Sequence, residues 1–414
     1  MQLTQKIRIR PTSEQEDVLW HLSEKCRLIY NFALKERKET EERGEHMSYI
    51  TQQNNLPSLK KQFPEYRWVY SKVLQMVLRK LDADYKSYFA LRKKDSNAKP
   101  PRFRGKKHFT TMVYNQSGFR FKNNNIRLSQ KYNKIPLEFA LPEKYDFTET
   151  KVYEVSIFKK DDEYYLSIVY EQPNAEYMDN KKYQAFDLGA QKHQAVNLDG
   201  KFIHFELERP DKCWLPKTKI IQARRDHCKK YSRKWKRLNK AYNKCRRKSS
   251  NQLKDTQHKL SRKVIDNTKA NTIVVGDLSV KKLCKINKYE RGLHVSMHNT
   301  GNISRFVGFL TYKAKLVGKR VIEINERDTT KMCCCCGKKH DMPLWKRTMK
   351  CDCGNVMDRD ENSSVNIMAR YLSQNGLWTA YRQFVGNLRK TGVPIQELYS
   401  QEAISSTPEV LGYA

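Results

Sequence analysis

Residues 333–360 constrain this chain more than any other stretch: they read CCCCGKKHDMPLWKRTMKCDCGNVMDRD, two cysteine pairs followed at once by two aspartates. Cys333 and Cys336 form a C-x-x-C-G knuckle, and Cys351 and Cys353 form a shorter C-x-C-G knuckle. Each tight turn, relaxed by Gly337 or Gly354, aims two sulfurs at one point. Four thiolates therefore converge on one tetrahedral position, the chemistry of a structural Zn2+. Cys334 and Cys335 are additional candidate ligands, and the bland alternative is a cluster of reduced core cysteines that binds nothing.

The charge balance says what such a ribbon would serve. The 414 residues carry 81 Lys and Arg against 45 Asp and Glu, a net charge of +36, which calls for a polyanionic partner because each phosphate neutralised releases condensed counterions. No basic amphipathic segment with an apolar anchor is present, and no run of about 20 apolar residues, so no membrane partner is expected. Eleven cysteines, four of them consecutive, then point to a reducing compartment and to metal rather than disulfides. Much of the excess lies between Lys212 and Lys263, where 20 Lys and Arg meet only Asp226 and Asp255. One or two long helices with a thin stripe of Trp235, Leu238 and Tyr242 would display Arg224, Arg225, Arg246 and Arg247 as a nucleic-acid cradle.

At the N-terminus, Leu3, Ile7 and Ile9 alternate with basic residues as a half-buried strand, and Pro11 ends it. Ser13 and Glu16 match a capping box for a helix running towards Arg37. From Ser71 to Leu91, Val73, Leu74, Val77, Leu78, Leu81, Tyr85 and Tyr88 share one helical arc. Lys72, Gln75 and Arg79 lie on the other, a solvated face or a groove reader. KPPRFRGKKH is a basic linker in which Arg102 and Arg104 flank Phe103, a combination suited to holding phosphates beside a stacked base. Strands then dominate to about Glu171, with hairpin turns at Asn123-Asn124-Asn125 and Asp161-Asp162, and read as a small antiparallel barrel.

After Tyr183 a short apolar strand ends in Asp187, Leu188-Gly189 turns away, and a hairpin at Asp199-Gly200 follows. Thr272–Val275 is a buried strand before Gly276-Asp277. A helix over about 301–317 and a strand over 319–325 follow, and this alternation indicates a mixed α/β sheet of RNase-H-like type. The tail from 376 to 414 has weak periodicity and reads as partly disordered.

Together KIRIRPTSEQEDVLWHLSEKCRLIYNFAL, KPPRFRGKKH, FDLGAQKHQAV, IVVGDLSVKKL, LTYKAKLVGKRVIEI, TTKMCCCCG, MKCDCG and DRDENSSVNIMARYL resemble the TnpB-type transposon-encoded RNA-guided nucleases, relatives of the type V CRISPR effectors. The resemblance implies an α+β multidomain fold. A wedge β-barrel (1–10 and 102–180) would be interrupted by a helical recognition module (11–101). A RuvC-like domain (181–327 and 358–375) would carry an inserted zinc ribbon (328–357). It implies Mg2+-dependent cleavage of double-stranded and single-stranded target DNA beside a short protein-read motif. It also implies a guide RNA from the transposon locus and a prokaryotic, cytoplasmic, nucleoid-associated setting.

Two-metal phosphodiester hydrolysis needs three or four carboxylates holding ions about 3.5 to 4 Å apart. Asp187 matches the family's first acid. The D-x-N pattern with Asn362 favours Asp360 over Asp358 as another. At the fourth strand the chain departs from the family, with Gly276 where most relatives carry Glu. Glu323 and Glu326 are the candidate replacements, and Glu326 is preferred because it would end a parallel neighbouring strand beside the vacant glycine. Loss of cleavage, leaving a guide-dependent binder that acts by occupancy, is the alternative that Gly276 supports. A guide-independent zinc-ribbon nucleic-acid-binding protein is the third reading.

Overall fold

The computed structural model describes residues 1–189, 191–277, 303–343 and 345–395. The chain divides into two compact units, 1–173 and 174–414. The division falls seven residues before the expected boundary at 180, because Asn180 donates to the Lys269 carbonyl and the Tyr177 hydroxyl meets Thr272, both in the second unit.

The first unit runs β1 (Gln2–Ile9), α1 (Ser13–Glu42), α2 (Tyr49–Asn54), α3 (Leu56–Gln62), a 3-10 turn, α4 (Ser71–Arg92), β2 (Met112–Asn115), β3 (Phe119–Lys122), β4 (Asn125–Leu128), β5 (Leu137–Ala140), β6 (Val152–Lys160) and β7 (Glu163–Glu171). The strands make two antiparallel sheets, β1-β7-β6-β2 and β3-β4-β5, over one apolar core. Asn123-Asn124 and Asp161-Asp162 turn with positive φ, the geometry that joins two strands through a two-residue loop. Val73, Leu74, Val77, Leu78, Leu81 and Tyr85 of α4 are all buried, as their spacing dictates, while Arg79 and Lys86 face solvent.

The cap of α1 lies one residue earlier than Ser13. Thr12 accepts from the Gln15 amide at 3.2 Å and Gln15 Oε1 accepts from the Thr12 amide at 3.1 Å. Both T-x-x-Q and S-x-x-E satisfy the sequence pattern. Thr12 has the extended backbone, φ −67 and ψ 166, that lets a side chain turn back onto the third helical amide.

The second unit runs β8 (Tyr183–Leu188), β9 (Lys192–Asn197), β10 (Phe202–Glu206), α5 (Pro210–Asp226), α6 (Arg233–Asn267), β11 (Thr272–Gly276), α7 (Ile303–Leu316), β12 (Arg320–Ile324), β13 (Thr348–Lys350), β14 (Val356–Asp358), α8 (Arg359–Gln374) and α9 (Trp378–Lys390). Its main sheet has the order β10-β9-β8-β11-β12: an antiparallel meander, then two strands parallel to β8. Side chains alternate across it. Phe186, Leu188, Ile273 and Val275 pack with Val264, Ile265, Phe306 and Leu310 of α6 and α7. Tyr183, Ala185 and Val274 pack on the other face with Val365, Met368, Leu372 and Phe384 of α8 and α9. Asp187 and Gly276 continue the second series, so both belong to the face that α8 covers.

The tail expectation needs correction. Tyr381, Phe384, Val385 and Leu388 are buried at helical spacing along α9, so order extends to residue 395. The Gly, Pro and polar residues that suggested disorder begin only after this helix ends; residues 396–414 lie outside the described residues, as do Leu278 and Ser279 after β11 and Gly301 before α7. Replacing Thr12 by Ala is expected to destabilise the first unit by about 1 kcal/mol, and Ser13→Ala by less than about 0.5 kcal/mol. Thermal melting of the two variants checks which residue caps α1.

Candidate active site and zinc ribbon

Asp187 is the penultimate residue of β8 and is followed by a very tight turn. The Gly189 amide donates to the Lys192 carbonyl at 3.1 Å, and a Cβ at 189 would lie 2.4 Å from that oxygen. Only glycine allows this approach. The turn returns the chain at Lys192, whose Nζ lies 3.3 Å from Asp358 and 3.4 Å from Asp360.

Gly276 ends β11, paired with Ile324 of β12 in parallel register. Two residues past β12, Glu326 folds back over it. A Cβ on residue 276 would stand 2.2 Å from Glu326 Oε2 and 3.1 Å from Glu326 Cβ, so the carboxylate occupies the volume any larger residue would need. Arg370 of α8 fixes this loop by donating to the carbonyls of Asn325 at 2.6 Å and Arg327 at 3.0 Å. Glu323 lies within β12 and is exposed, and Asp277, also exposed, stands beside Glu326.

The start of α8 separates the roles of the two aspartates. Asp358 is the helix cap: its Oδ1 accepts from the amides of Asp360 at 2.8 Å and Glu361 at 3.3 Å. Asp360 instead faces cations, Lys192 at 3.4 Å and Arg347 at 3.8 Å. Asn362 is wholly buried and serves the backbone, accepting from the Cys334 amide and donating to the carbonyls of Thr329 and Met332. Ser363 donates to the Thr329 hydroxyl at 3.1 Å, and its hydroxyl stands near enough to Asp187 to favour the charged carboxylate.

Electrostatics links the three acids. Burial, then the charges of Glu326 and Asp360, push the Asp187 carboxyl up to about 8. Burial, then Asp277, push Glu326 up to about 7, with Arg370 pulling the other way. Such a set of hard oxygen donors suits a divalent cation such as Mg2+. Sequence reasoning missed Lys192, Ser363 and Arg370, because their roles depend on which strand ends and helix faces meet.

Above the ordinary carboxylate range near 3.8 and below about 8, folded Asp187 keeps a proton that the unfolded chain releases. Stability from this group is therefore whole at low pH and falls as pH rises through that window. Asp187→Asn cannot ionise, so in metal-free buffer it is expected to melt higher than the unaltered protein at pH 8. The difference should close towards pH 4, as melting curves over that range would record.

The four cysteines converge. Cys333, Cys336, Cys351 and Cys353 place their sulfurs within 4.8 Å of one another, and among the described residues this is the one group of three or more candidate metal ligands so tightly set. The acidic trio is spaced more widely. Cys333 and Cys353 sulfurs are 3.7 Å apart and those of Cys336 and Cys351 3.4 Å, close to the edge of about 3.8 Å in a tetrahedron with Zn–S bonds of about 2.3 Å. Cys334 and Cys335 are buried against the core, with the Cys334 sulfur 3.4 Å from Met357 Sδ. The purified protein is expected to carry about one zinc per chain, and Cys333→Ser with Cys351→Ser to lose it, as elemental analysis would register.

The candidate nucleic-acid contacts divide by availability. In the first unit Arg79 and Arg102 are exposed and Lys72 and Gln75 half-buried. Arg104 is occupied, with its guanidinium 3.5 Å from the centre of the Tyr30 ring and 3.9 Å from Asp84. A cavity of about 1070 Å3 is lined by Arg120, Lys122 and Arg127 of β3 and β4 and by Lys131 and Lys134 of the connection to β5. In the second unit α5 and α6 form the basic hairpin. Arg224 and Arg246 are exposed, and Arg247 is half-buried. Arg225, paired with its neighbour Asp226 at 2.8 Å, ties the helices together through Asn239 at 3.2 Å and the Tyr242 ring.

An RNase-H-like sheet whose strand ends carry acids, closed by a helix that follows a four-cysteine ribbon, defines the class of protein. Family models match in the same order: "Helix-turn-helix domain" over residues 1–46, "Probable transposase" over 167–287 and "Cas12f1-like, TNB domain" over 304–367. The protein named "Putative RNA-guided DNA endonuclease" of Streptomyces pristinaespiralis is 27% identical over 380 residues, 89% of each chain. A TnpB-like protein of Acanthamoeba polyphaga mimivirus is 34% identical over 139 residues, 33% of this chain and 26% of that one. The Cas12f1 chain, solved by cryo-EM with sgRNA and target DNA, shares the fold with a TM-score of 0.60 at 12% identity, covering 89% of this chain and 98% of that one. In these matches the chain is similar to the TnpB-type relatives of the type V effectors. No described helix is long and apolar enough to cross a membrane.

Proposed function

We propose that this protein is an RNA-guided DNA endonuclease that cuts guide-matched DNA beside a short motif it reads itself, with Asp187, Glu326 and Asp360 as the catalytic carboxylates. The observation that carries this reading is the Glu326 carboxylate seated in the space above Gly276, on the face of the sheet that Asp187 shares near the end of β8. A relocated acid explains why a chain of this type can lack one at the end of β11. Two Mg2+ ions held there would activate the attacking water and stabilise the leaving oxygen. The chain's own residues prepare the site: Ser363 offsets part of the burial cost of a charged Asp187, Arg370 holds the Glu326 loop, and Lys192 balances Asp358 and Asp360. Zn2+ in the ribbon is structural. The names of its relatives and the solved complex support guide RNA and target DNA as partners, with a transposon-locus guide and a prokaryotic, nucleoid-associated setting as part of the same reading.

Glu326→Gln is expected to lose cleavage of guide-matched DNA by a factor on the order of a hundred while RNA and DNA binding persist, since a metal ligand is gone and the binding surfaces are not. Gly276→Ala should lose it too, because its Cβ displaces Glu326. Glu323→Gln and Asp277→Asn should cut nearly normally. Normal cutting by Glu326→Gln would sink the assignment; binding without cutting by the unaltered protein would replace it with action by occupancy.

Reversing charge at the exposed Arg224 and Arg246 is expected to weaken guide-RNA binding and flatten its salt dependence by about one unit per lost phosphate contact. Titration of RNA at several salt concentrations measures the slope, and an unchanged slope would make the hairpin a solvated surface.

A further inference from the structure

The zinc ribbon holds one aromatic side chain out to solvent, two residues before the arginine that reaches Asp360. Trp345 is 81% exposed, whereas the other five tryptophans are half-buried. Each of those five meets another ring or a cation: Trp20 with Phe109, Trp68 with Tyr132, Trp214 with Lys217, Trp235 with Tyr231, Trp378 with Tyr381. Trp345 meets none among the described residues. Leaving an indole in water is unfavourable, and here its backbone is held in place.

The turn that carries Trp345 is clamped to the start of α8. Arg359, 9% exposed, donates from Nη1 to the Pro343 carbonyl at 3.1 Å and from its amide to the Arg347 carbonyl at 2.8 Å. The Lys346 amide closes the turn onto the Pro343 carbonyl at 3.0 Å. Arg359 stands between Asp358 and Asp360 in the chain, so the residue that fixes the turn also fixes it relative to the acids. Arg347 then reaches Asp360 at 3.8 Å. Trp345, two residues away, has its Cα within about 7 Å of that of Arg347.

We propose that Trp345 is a stacking platform for an unpaired base of the strand entering the Asp187, Glu326 and Asp360 site. Its neighbours Lys346, Arg347 and Lys350 supply cations for the flanking phosphates, which favours a nucleic acid over an apolar partner. A base inside a duplex offers no free face, so the occupant is single-stranded. Stacking tolerates every base, so the platform sets the register of the strand and not its sequence. The location of the strand rests on the nuclease reading; the stacking does not.

The test uses full-length, RNA-loaded protein and target strands with 2-aminopurine at successive positions, in Ca2+ to prevent cutting. One position near the cut should lose fluorescence on binding to the unaltered protein. Trp345→Ala and Trp345→Leu should abolish that loss and bind the strand on the order of tenfold more weakly, while Trp345→Phe keeps part of both. Leucine keeps apolar bulk without an aromatic face, and zinc content verifies that each ribbon is folded. The same quenching in Trp345→Leu as in the unaltered protein would overturn the proposal. In Mg2+, an abasic nucleotide at the quenched position should reduce cutting by the unaltered protein to the level of Trp345→Ala, and should not reduce that of Trp345→Ala further; additive losses would count against stacking. Failure of the unaltered protein to cut would overturn the nuclease reading, with the 2-aminopurine comparison still deciding the stacking.

Discussion

Asn362 has no exposed surface, and its side chain serves three backbone groups at once: it accepts from Cys334 and donates to Thr329 and Met332. A buried amide without partners would be costly, so this network gives α8, the knuckle and the loop after Glu326 one low-energy arrangement. Asn366 donates to the same two carbonyls, and Ser363 joins through Thr329. The acids of α8, the Glu326 loop and the zinc ribbon are thereby held as one assembly. Four thiolates closing on an ion would stiffen the same assembly from the other side.

Within it, sterics and charge act together. Gly276 removes the Cβ that would exclude Glu326, and Arg370 keeps the loop from swinging away. The same closeness raises the proton affinities of Asp187 and Glu326, because burial and mutual repulsion both disfavour the charged forms. A site that resists its own charge in this way would gain from a bound cation with a preference for oxygen donors. Asp358 is withdrawn from that task by capping the helix, leaving Asp360 as the α8 carboxylate turned to the charged groups around it.

The basic surface likewise contains cations with different work. Arg104 and Arg225 lie in the densest basic stretches, yet each is packed against a tyrosine and paired with an acid. Arg224 and Arg246, close by in sequence, are exposed. Charge density predicts that a segment faces a polyanion, while the packing of each guanidinium decides whether it is free to touch a phosphate.

The sequence by itself determined the features that depend on neighbours along the chain. Period-2 and period-3.6 apolar patterns placed β1, α1, α4 and the strands around Asp187 and Gly276, and knuckle spacing picked out four cysteines whose sulfurs do converge. Even the position of Glu326 over Gly276 was legible, because a parallel sheet brings adjacent strand ends about 4.8 Å apart. Local pattern was not enough where two equal choices competed: Thr12 and Ser13 could each have capped α1, and backbone dihedrals chose Thr12. Helix α9 went unread because its four buried residues are sparse among polar ones and Gly and Pro follow directly. Only tertiary structure brought Lys192 of β9 to the acids of α8, and Ser363 and Arg370 of α8 to Asp187 and the Glu326 loop, since the partners in each case arrive from different elements. Their roles follow from distances across the fold, which no spacing along the chain encodes.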